Sequence, residues 1–422
     1  MLYAETRANV RHLSADVFWF GVLAGSTMAF LAIFAARQGA TGFEISLLTA
    51  GPAVINLFFS LQAGRWLEGK PLIRITYIAS LLTRLGYLVL IPLPWFLAAR
   101  QQVEAVIWLT VLISLPGTLF AIAFNAMFAD IVPPDMRGQV VGRRNALLAL
   151  STTLASLLCG VVLDWIAFPL NYQLVFGLGA LGAMMSTYHL SRLRLPPEPP
   201  VRVGKLIQDL ARPGILRFPD GLRSSVGLRF LTRAGDKPLL QMDILRTPFG
   251  LLIAGYLFFY IAQYMGVPIY PIFFVRGLNL TDGQISLGTA LFYGTMLLTS
   301  IRLGPISDRL GFRVVLVSGA VCYGLYPLLI AIDGFATYLL GSLVGGISWA
   351  LAYGGLVNRL MERTPENKRP FHMSFHNLAL NFGILGGSLL GSLLADWVGL
   401  RPSLWVVAGL RVLAGLILAL WA

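Results

Sequence analysis

The sequence predicts an all-α membrane protein with twelve transmembrane helices, arranged as two six-helix bundles related by pseudo-symmetry. Three observations support this fold class. Of the 422 residues, 57% are hydrophobic and 12% are charged, whereas soluble domains are about one-quarter charged. The apolar residues form runs of about 20 residues, the length that a helix needs to cross a bilayer. Finally, the second half of the sequence repeats features of the first.

The apolar runs are separated by charged or Gly/Pro-rich breaks. Arg7 and Arg11 precede the first run, as in a signal peptide, but this run is long enough to span the membrane and eleven more follow. We therefore interpret it as the first membrane helix. In chain order the predicted spans are 15–36, 47–63, 75–98, 104–128, 145–166, 172–191, 248–273, 286–303, 314–333, 336–358, 373–396 and 402–421.

A long polar segment rich in Arg and Pro lies between the sixth and seventh spans. It divides the chain into an N-terminal six-helix bundle over 1–192, a basic cytoplasmic linker over 193–247 and a C-terminal six-helix bundle over 248–422. Two interpretations of the linker stay open: a plain tether, and a tether that contains a short amphipathic helix on the lipid surface.

The positive charges predict the orientation of the spans. Lys and Arg number 32 against 19 Asp and Glu, a net charge of +13. Of these cations, 26 lie on the side of the N-terminus and the linker, four lie on the other side, and Arg84 and Arg411 lie within spans. Because cytoplasmic loops carry the excess of Lys and Arg, we expect a multi-pass protein of the cytoplasmic (inner) membrane with both termini in the cytoplasm. The partner that this charge implies is the lipid bilayer, and we expect no nucleic acid.

The two halves of the sequence align with each other. At an offset of 240 residues, Thr41, Ile45, Ser46 and Leu47 meet identical residues in the second half. At an offset of 232, the segment 133–165 shares nine identities with 365–397. Parallel repeats of six helices are typical of secondary transporters, whose substrate site lies near the membrane midplane between the halves.

A charged segment between spans 8 and 9 reads Gly304-Pro-Ile-Ser-Asp308-Arg309-Leu-Gly311-Phe-Arg313. It resembles the G-x-x-x-D-R-x-G-R-R signature of the major facilitator superfamily. The equivalent segment after span 2 starts at Gly64 and carries Glu68 in place of the Asp. Related drug/proton antiporters carry a G-P-x-x-G-G element in span 5 and an Arg in span 4, and this sequence has neither. The resemblance therefore implies the fold and the transport function of the superfamily but no subfamily.

The signature residues predict a latch on the cytoplasmic side. A carboxylate such as Asp308 is attracted to the unpaired N–H groups and the positive dipole where a helix of the other half begins. Glu68 is expected to act in the same way near His372, and Arg309 and Arg313 to pair with carboxylates such as Asp130 and Glu362. The alternative is a set of solvated loop charges. The predicted gate comprises Gly64, Glu68, Asp130, Arg137, Gly304, Asp308, Arg309, Gly311, Arg313, Glu362 and Arg369.

One face of span 7 carries polar side chains at helical spacing. Tyr256, Tyr260, Gln263 and Tyr264 recur every three or four residues. The resemblance implies that spans 1, 2, 4, 5, 7, 8, 10 and 11 line a central cavity. Aromatic rings with a few amides suit an amphipathic organic solute better than a bare ion, and the alternative is packing between helices. The predicted cavity residues are Asn56, Arg84, Tyr256, Tyr260, Gln263, Tyr264, Tyr293, Trp349, Tyr353 and Asn381.

Arg84 and Arg411 are the two cations within predicted spans. A guanidinium at the membrane midplane is costly, so each of them needs a partner or a water-filled cavity. For Arg84, contact with an anionic substrate and local pairing both stay open. For Arg411, local pairing or snorkelling towards the interface is the simpler interpretation.

Proton-coupled carriers usually contain a titratable group inside the membrane. Asp16, about one turn into span 1, and His376, at the start of span 11, are the candidates. The alternative for Asp16 is a helix N-cap or first-turn acid, and for His376 a polar pair with His372. Cysteine spacing suggests no metal site, and the sequence contains no G-x-x-x-x-G-K-[ST] motif. We therefore expect neither a cofactor nor a metal.

Together these features predict a secondary active transporter that moves a small organic, amphipathic solute by alternating access, with H⁺ as the candidate coupling ion. We expect it to act as a monomer. The alternative is a non-transporting membrane assembly factor or a pigment- or lipid-delivery factor on the same scaffold, because fold does not determine function. We do not expect an enzyme, because the spans contain no paired carboxylates, metal-ligand cluster or nucleophile with a base.

Overall fold

The computed structural model describes residues 2–67, 70–133, 136–194, 246–364 and 369–421. These residues form helices joined by short turns, and the described part of the chain contains no strand. Nearly all of the predicted linker over 193–247 lies outside the described residues.

The described residues of the first half form six long helices: α1 (Leu2–Leu23 and Ala29–Arg37), α2 (Gly42–Trp66), α3 (Leu72–Val89), α4 (Ala99–Ile131), α5 (Arg137–Trp165) and α6 (Leu170–Ser191). A π-helical turn, Ala24–Met28, joins the two parts of α1, and a short helix, Leu93–Phe96, follows α3.

The described residues of the second half form six more: α7 (Pro248–Met265 and Ile269–Ile272), α8 (Asp282–Leu310), α9 (Phe312–Cys322 and Leu325–Ile330), α10 (Phe335–Glu362), α11 (Arg369–Val398) and α12 (Leu400–Trp421). A π-helical turn, Phe273–Gly277, ends α7.

Each predicted span corresponds to one of these helices, which confirms the all-helical membrane fold. Eleven of the helices are apolar and long enough, in their described residues, to cross a membrane. The exception is α8, in which polar residues recur, among them Gln284, Ser286, Thr289 and Arg302. This helix packs against α5 of the other half, so one of its faces contacts protein and does not need to be apolar.

Helix packing follows the internal repeat. In the first half, α1 packs against α5 and α6, α4 packs against α2 and α3, and α3 packs against α6. The equivalent pairs of the second half also pack: α7 with α11 and α12, α10 with α8 and α9, and α9 with α12. The two largest contacts between the halves, α2 with α11 and α5 with α8, are exchanged by the same symmetry. The repeat in the sequence is therefore a repeat in the packing.

Glycines spaced four residues apart let α11 approach α7 closely. A Cβ atom at Gly383 would overlap Tyr260, and one at Gly391 would overlap the backbone of Met265. Between them, a Cβ at Gly387 would lie 2.6 Å from the carbonyl oxygen of Ile261.

The two halves meet at one end of the molecule. We call the end that carries Asn9, Gly311 and Ala419 the terminal face, and the end that carries Gly39 and Gly399 the opposite face. One cluster of buried apolar residues contains both halves, and it lies at the opposite face; its members include Ile33, Ala36, Ala40, Ile45, Ile269, Ile285, Ala395 and Leu404. Each of the other apolar clusters among the described residues belongs to one half. Among the described residues, the apolar contact between the halves is therefore concentrated at the opposite face.

Candidate functional site

Two arginines connect the halves at the opposite face. Arg37 ends α1, and its Nη2 donates to the carbonyl of Leu280, which precedes α8, at 2.6 Å. Arg276 lies in the turn that ends α7, and its Nη2 donates to the carbonyls of Ala40 and Ala36 at 2.9 and 3.2 Å. Each arginine thus binds the backbone of the other half near the turn that follows the equivalent helix.

Carboxylates complete this contact between the halves. Asp282, the first residue of α8, accepts from Arg37 at 3.1 Å and from the hydroxyl of Tyr172 at 3.1 Å. Asp164, near the end of α5, accepts from the hydroxyl of Thr281 at 2.9 Å. We call this network the seal; it comprises Arg37, Asp164, Tyr172, Arg276 and Asp282.

A buried charge cluster lies inside the first half, between α1, α3, α5 and α6. Asp16 accepts from Nη1 of Arg144 at 3.1 Å and lies 3.6 Å from Nη2 of Arg84. The hydroxyl of Ser186 donates to Asp16 at 2.5 Å, and Arg84 donates to Thr187 at 3.0 Å. Two guanidinium groups share one carboxylate, so the three charged residues carry a net positive charge. We call Asp16, Arg84 and Arg144 the charge cluster.

The structure corrects the interpretation of Asp16 as a helix cap or first-turn acid. Because α1 begins at Leu2, Asp16 lies about four turns inside the helix. Similarly, α5 begins at Arg137, so Arg144 lies about two turns inside it and not in a loop. Arg84 has Asp16 as a local partner, which agrees with the local-pairing hypothesis for this residue.

An aromatic cluster lies in the second half between α7, α9, α10 and α11. The hydroxyl of Tyr260 and Nε2 of His376 are hydrogen-bonded at 2.8 Å. Trp349 and Tyr353 stack with ring centres 5.5 Å apart, and Tyr323 lies 5.5 Å from Trp349. Within this group Tyr353 is 48% exposed, whereas Tyr260 and Tyr323 are buried. We call Tyr260, Tyr323, Trp349, Tyr353 and His376 the aromatic cluster.

The other predicted residues of α7 pack against neighbouring helices. The hydroxyl of Tyr256 donates to the carbonyl of Leu356 on α10 at 2.9 Å. Tyr264 packs against Gly387 of α11. These two residues support the positions of α10 and α11, which carry part of the aromatic cluster.

The remaining predicted cavity residues have other surroundings. Asn56 accepts from the hydroxyl of Thr118 at 2.6 Å, which joins α2 to α4. Asn381 donates to the carbonyl of Asn377 within its own helix. Gln263 and Tyr293 line a cavity of the second half that adjoins the aromatic cluster at Tyr323.

The family model of the Major Facilitator Superfamily matches the chain twice, over residues 17–259 and 252–422. The chain belongs to the major facilitator superfamily. The two matches overlap at the start of α7, and they confirm the resemblance based on the signature between spans 8 and 9. Proteins of this superfamily are membrane transporters and not enzymes, which confirms the expectation that the chain is not an enzyme.

Individual members of the superfamily resemble parts of the chain or its fold. Over 149 residues the chain is 22% identical to the quinolone resistance protein NorA of Staphylococcus aureus, a match that covers 35% of this chain and 38% of NorA. The crystal structure of the nucleoside transporter NupG has a TM-score of 0.67 at 14% identity and covers 98% of both chains. The D-xylose-proton symporter has a TM-score of 0.68 at 14% identity, covering 99% of this chain and 97% of that one. At these identities the structures show a shared fold.

The superfamily signature forms the connection between α8 and α9. Gly311 has φ +79° and ψ 152°, a combination that glycine adopts and that residues with a Cβ avoid. It allows α9 to start directly after α8. A Cβ at Gly304 would meet no described atom within 4 Å outside its own helical turn, so no other helix approaches this glycine closely in this conformation.

The charged side chains of the signature are exposed. In the described part of the chain, Asp308 and Arg309 form neither a hydrogen bond nor an ion pair. The expected pairing of Arg309 with Asp130 is therefore absent from this conformation. Asp130 belongs to the first half and Arg309 to the second, so this pairing would have to join the two halves.

Other predicted gate residues have partners within their own half. Arg313 donates to the carbonyl of Ala419 at 2.5 Å, and Glu362 accepts from Arg359 at 2.6 Å, so these two do not pair with each other. Arg137 donates to the carbonyl of Val132 at 3.0 Å. Glu68 lies outside the described residues. The surroundings of Gly64 and of the Arg369 side chain are also outside the described part of the structure.

Sequence reasoning missed Arg37, Arg276 and Arg144 as site residues. The sequence contained two signals for Arg37 and Arg276. They are two of the four cations on the cation-poor side, and they are 239 residues apart, one residue less than the repeat offset of 240. The predicted span 145–166 starts one residue after Arg144, whereas the helix α5 begins at Arg137 and includes it.

Proposed function

We propose that the protein is a secondary active transporter that moves a small amphipathic organic solute across the cytoplasmic membrane by alternating access. It acts as a monomer with both termini in the cytoplasm. The observation that carries the proposal is the seal, which joins the two halves at the opposite face. A pathway that is closed at one end and open at the other is one of the two states that alternating access requires.

The distribution of cations supports an inward-open assignment of this state. The terminal face bears the cation-rich segments, so the positive-inside rule assigns it to the cytoplasm. The seal then closes the outer side of the membrane, and the signature around Asp308 lies on the open, cytoplasmic side.

Switching to the outward-open state requires the seal to break and the terminal face to close. Hydrogen bonds to charged groups contribute roughly 1.5–3 kcal/mol each, so breaking a few of them is within reach of solute binding and of new contacts at the other end. We assign those new contacts to the latch. When the terminal face closes, Asp308 approaches the start of a helix of the first half, and Arg309 approaches Asp130.

The aromatic cluster supports an amphipathic organic solute. Its rings provide apolar contact area, and the pair of Tyr260 with His376 provides hydrogen-bonding groups beside them. NorA is named for resistance to quinolones, and two of the structural neighbours are named for nucleosides and D-xylose; these three are organic compounds. We therefore assign the aromatic cluster to the solute pathway.

The charge cluster supports coupling to H⁺. Protonation of Asp16 would remove the negative charge that lies between Arg84 and Arg144. The two guanidinium groups would then repel each other without a shared counterion. Because Arg84 belongs to α3 and Arg144 to α5, this repulsion would separate two helices of the first half, one of which carries Asp164 of the seal. His376, hydrogen-bonded to Tyr260, is a second candidate for the coupling residue.

Reconstitution into liposomes tests the proposal. The purified full chain is assayed for uptake of a panel of amphipathic organic solutes, with and without an imposed pH gradient. We expect at least one solute to be transported faster than in empty liposomes, and Tyr260→Ala to reduce that rate. Absence of transport for the whole panel, together with co-purification of a stable partner protein, would instead support an assembly factor.

Proton coupling is tested in the same liposomes. The imposed pH gradient should drive accumulation by the wild-type protein, and Asp16→Asn should abolish accumulation while leaving exchange of solute across the membrane. Solute accumulation that does not depend on the imposed pH gradient would exclude H⁺ as the coupling ion, but it would not exclude transport.

A further inference from the structure

A cavity lies inside the second half, between α7, α8, α9 and α10. Its volume is about 220 Å³, and a cavity of about 150 Å³ suffices to hold benzene. The cavity is therefore large enough for a single aromatic ring with substituents. We call it the tyrosine pocket, because its lining includes Tyr270, Tyr293, Tyr323, Tyr326 and Tyr338.

Two polar atoms of the pocket lining are buried without a hydrogen-bond partner among the described residues. They are Oε1 of Gln263 and the hydroxyl oxygen of Tyr270. Gln263 is 8% exposed, and its Nε2 already donates to the hydroxyl of Tyr323 at 3.3 Å. Buried polar groups are rarely left unpaired. The free acceptor of Gln263 therefore indicates a ligand that offers a hydrogen-bond donor. The hydroxyl oxygen of Tyr270 lies within reach of the Arg411 guanidinium; because Arg411 can only donate, the O–H of Tyr270 stays available for an acceptor on the ligand.

A positive charge lies directly behind the pocket wall. Arg411 of α12 has no exposed surface and forms no ion pair with any described residue. Its guanidinium carbon lies 4.2 Å from the ring centre of Tyr323 and 5.8 Å from that of Tyr270. Its Nη2 donates to the carbonyl of Gln263 at 3.0 Å, while its Nε has no partner in the described structure.

This charge decides which class of ligand the pocket takes. A cage of aromatic rings without charged residues favours cations, because the faces of the rings are electron-rich. Here the guanidinium of Arg411 lies behind two of the rings, and no described carboxylate pairs with it. In a medium of low dielectric constant its field repels a cation and attracts an anion.

We propose that the tyrosine pocket binds a single-ring aromatic anion that carries a hydroxyl group, with Arg411 supplying the charge that selects it. The hydroxyl of such a ligand can donate to Oε1 of Gln263, and its anionic group can accept from the hydroxyl of Tyr270. This inference goes beyond the proposed function, because binding in the pocket requires no transport.

Binding to the purified full chain in detergent tests the pocket with three probes of the same ring. The probes are 4-hydroxybenzoate, the neutral 4-hydroxybenzamide and the cation tyramine, titrated calorimetrically. We expect saturable binding of the anion, with affinity at least about tenfold higher than for either of the other two. Equal affinities for the three probes, stronger binding of tyramine or no binding of the anion would each overturn the proposal.

Variants connect that binding to the pocket. Tyr270→Phe removes one hydrogen bond and should weaken binding of the anion about fivefold, and Gln263→Leu should weaken it similarly. Tyr188→Phe removes a hydroxyl from a tyrosine on α6, far along the chain from the pocket, and should leave the affinity unchanged. Equal losses for Tyr270→Phe and Tyr188→Phe would contradict the proposed site.

The charge is tested at Arg411. Arg411→Lys keeps the positive charge and should keep the preference for the anion, whereas Arg411→Gln should reduce that preference at least fivefold. If Arg411→Gln does not fold, the preference of the Arg411→Lys protein decides the question, because loss of selectivity there would contradict a charge-based mechanism. The outcomes also separate the two proposals: binding of the anion without transport of any solute would refute only the transporter, and transport without binding would refute only the pocket.

Discussion

Arg37 and Arg276 occupy corresponding helix ends in the two halves of the chain, and each binds main-chain carbonyl groups of the other half. The two contacts are reciprocal because of the repeat. Each half carries one arginine at the end of its first helix, and the pseudo-two-fold relation places each arginine against the equivalent turn of the other half. The acceptors are backbone oxygens, so the contacts depend on the position of the turns and not on particular side chains. Arg37 adds an ion pair with Asp282.

Arg37→Gln should weaken the seal and favour opening of the opposite face. The substitution removes the ion pair with Asp282 and the hydrogen bond to Leu280. A loss of about 1–2 kcal/mol in the closed state raises the open fraction about five- to thirtyfold, as long as that fraction is small. The measurement is the rate of maleimide labelling at Ser286→Cys, a buried position between the halves, in a background in which both native cysteines are replaced by serine.

Arg401→Gln is the matched control for this substitution. Arg401 also lies at the opposite face and pairs with Asp333, but both residues belong to the second half. Its replacement should leave the labelling rate close to that of the reference protein. Similar rates for Arg37→Gln and Arg401→Gln would show that the contact between the halves does not control opening.

A disulfide across the opposite face should trap the closed state of that face. An ideal Cβ at Gly42 lies 3.6 Å from Cβ of Ser392, within the range of about 3.5–4.5 Å found in disulfides. Gly42 begins α2 and Ser392 lies on α11, so the bond would join the two halves. We expect oxidised Gly42→Cys/Ser392→Cys protein to lose solute transport in liposomes, and reduction to restore it.

A disulfide within one half provides the control for the trap. An ideal Cβ at Gly341 lies 3.4 Å from Cβ of Leu329, and both residues belong to the second half. Oxidised Leu329→Cys/Gly341→Cys protein should retain transport. Full activity of the oxidised Gly42→Cys/Ser392→Cys protein, with the bond confirmed by mass spectrometry, would rule out alternating access at this interface.

Asp16→Asn should destabilise the folded protein. The substitution leaves Arg84 and Arg144 inside the first half without their shared carboxylate, and removing one partner of a buried ion pair typically costs about 3–5 kcal/mol. The double variant Asp16→Asn/Arg144→Gln removes one of the two guanidiniums and should recover part of the loss. The measurement is the Tm of the detergent-purified proteins. A Tm for Asp16→Asn equal to that of the wild type would show that the cluster does not depend on this carboxylate.

The sequence was sufficient for the twelve spans because a bilayer imposes a minimum length on apolar runs. It was insufficient for the charge cluster, because an apolar run marks the part of a helix that contacts lipid and not the whole helix. The helix α1 begins at Leu2, about thirteen residues before the predicted span. Asp16 was therefore assigned to a helix end and Arg144 to the loop before span 5, although both lie inside helices.

The contacts between the halves were harder to predict for a different reason. The repeat relates Arg37 to Arg276, but it does not specify how the halves dock or which end of the pathway is closed. Likewise, the spacing of Tyr256, Tyr260 and Tyr264 places them on one helix face but does not distinguish a cavity from a packing surface. These features depend on long-range packing between helices that are distant in the sequence.

Gly311→Ala should lower stability through the backbone of the superfamily signature. The backbone of Gly311, at φ +79° and ψ 152°, lies in a region that costs a residue with a Cβ on the order of 1–3 kcal/mol. No atom lies within 4 Å of the added Cβ, so the loss arises from conformation and not from a clash. Gly142→Ala is the control, because Gly142 lies inside α5 with similarly open surroundings, where alanine is the better helix former. Thermal unfolding of the purified variants should therefore show a lower Tm for Gly311→Ala and an equal or higher Tm for Gly142→Ala. A lower Tm for both would mean that any added Cβ disturbs the protein at these exposed positions, and the special backbone of the signature would then have no role in its stability.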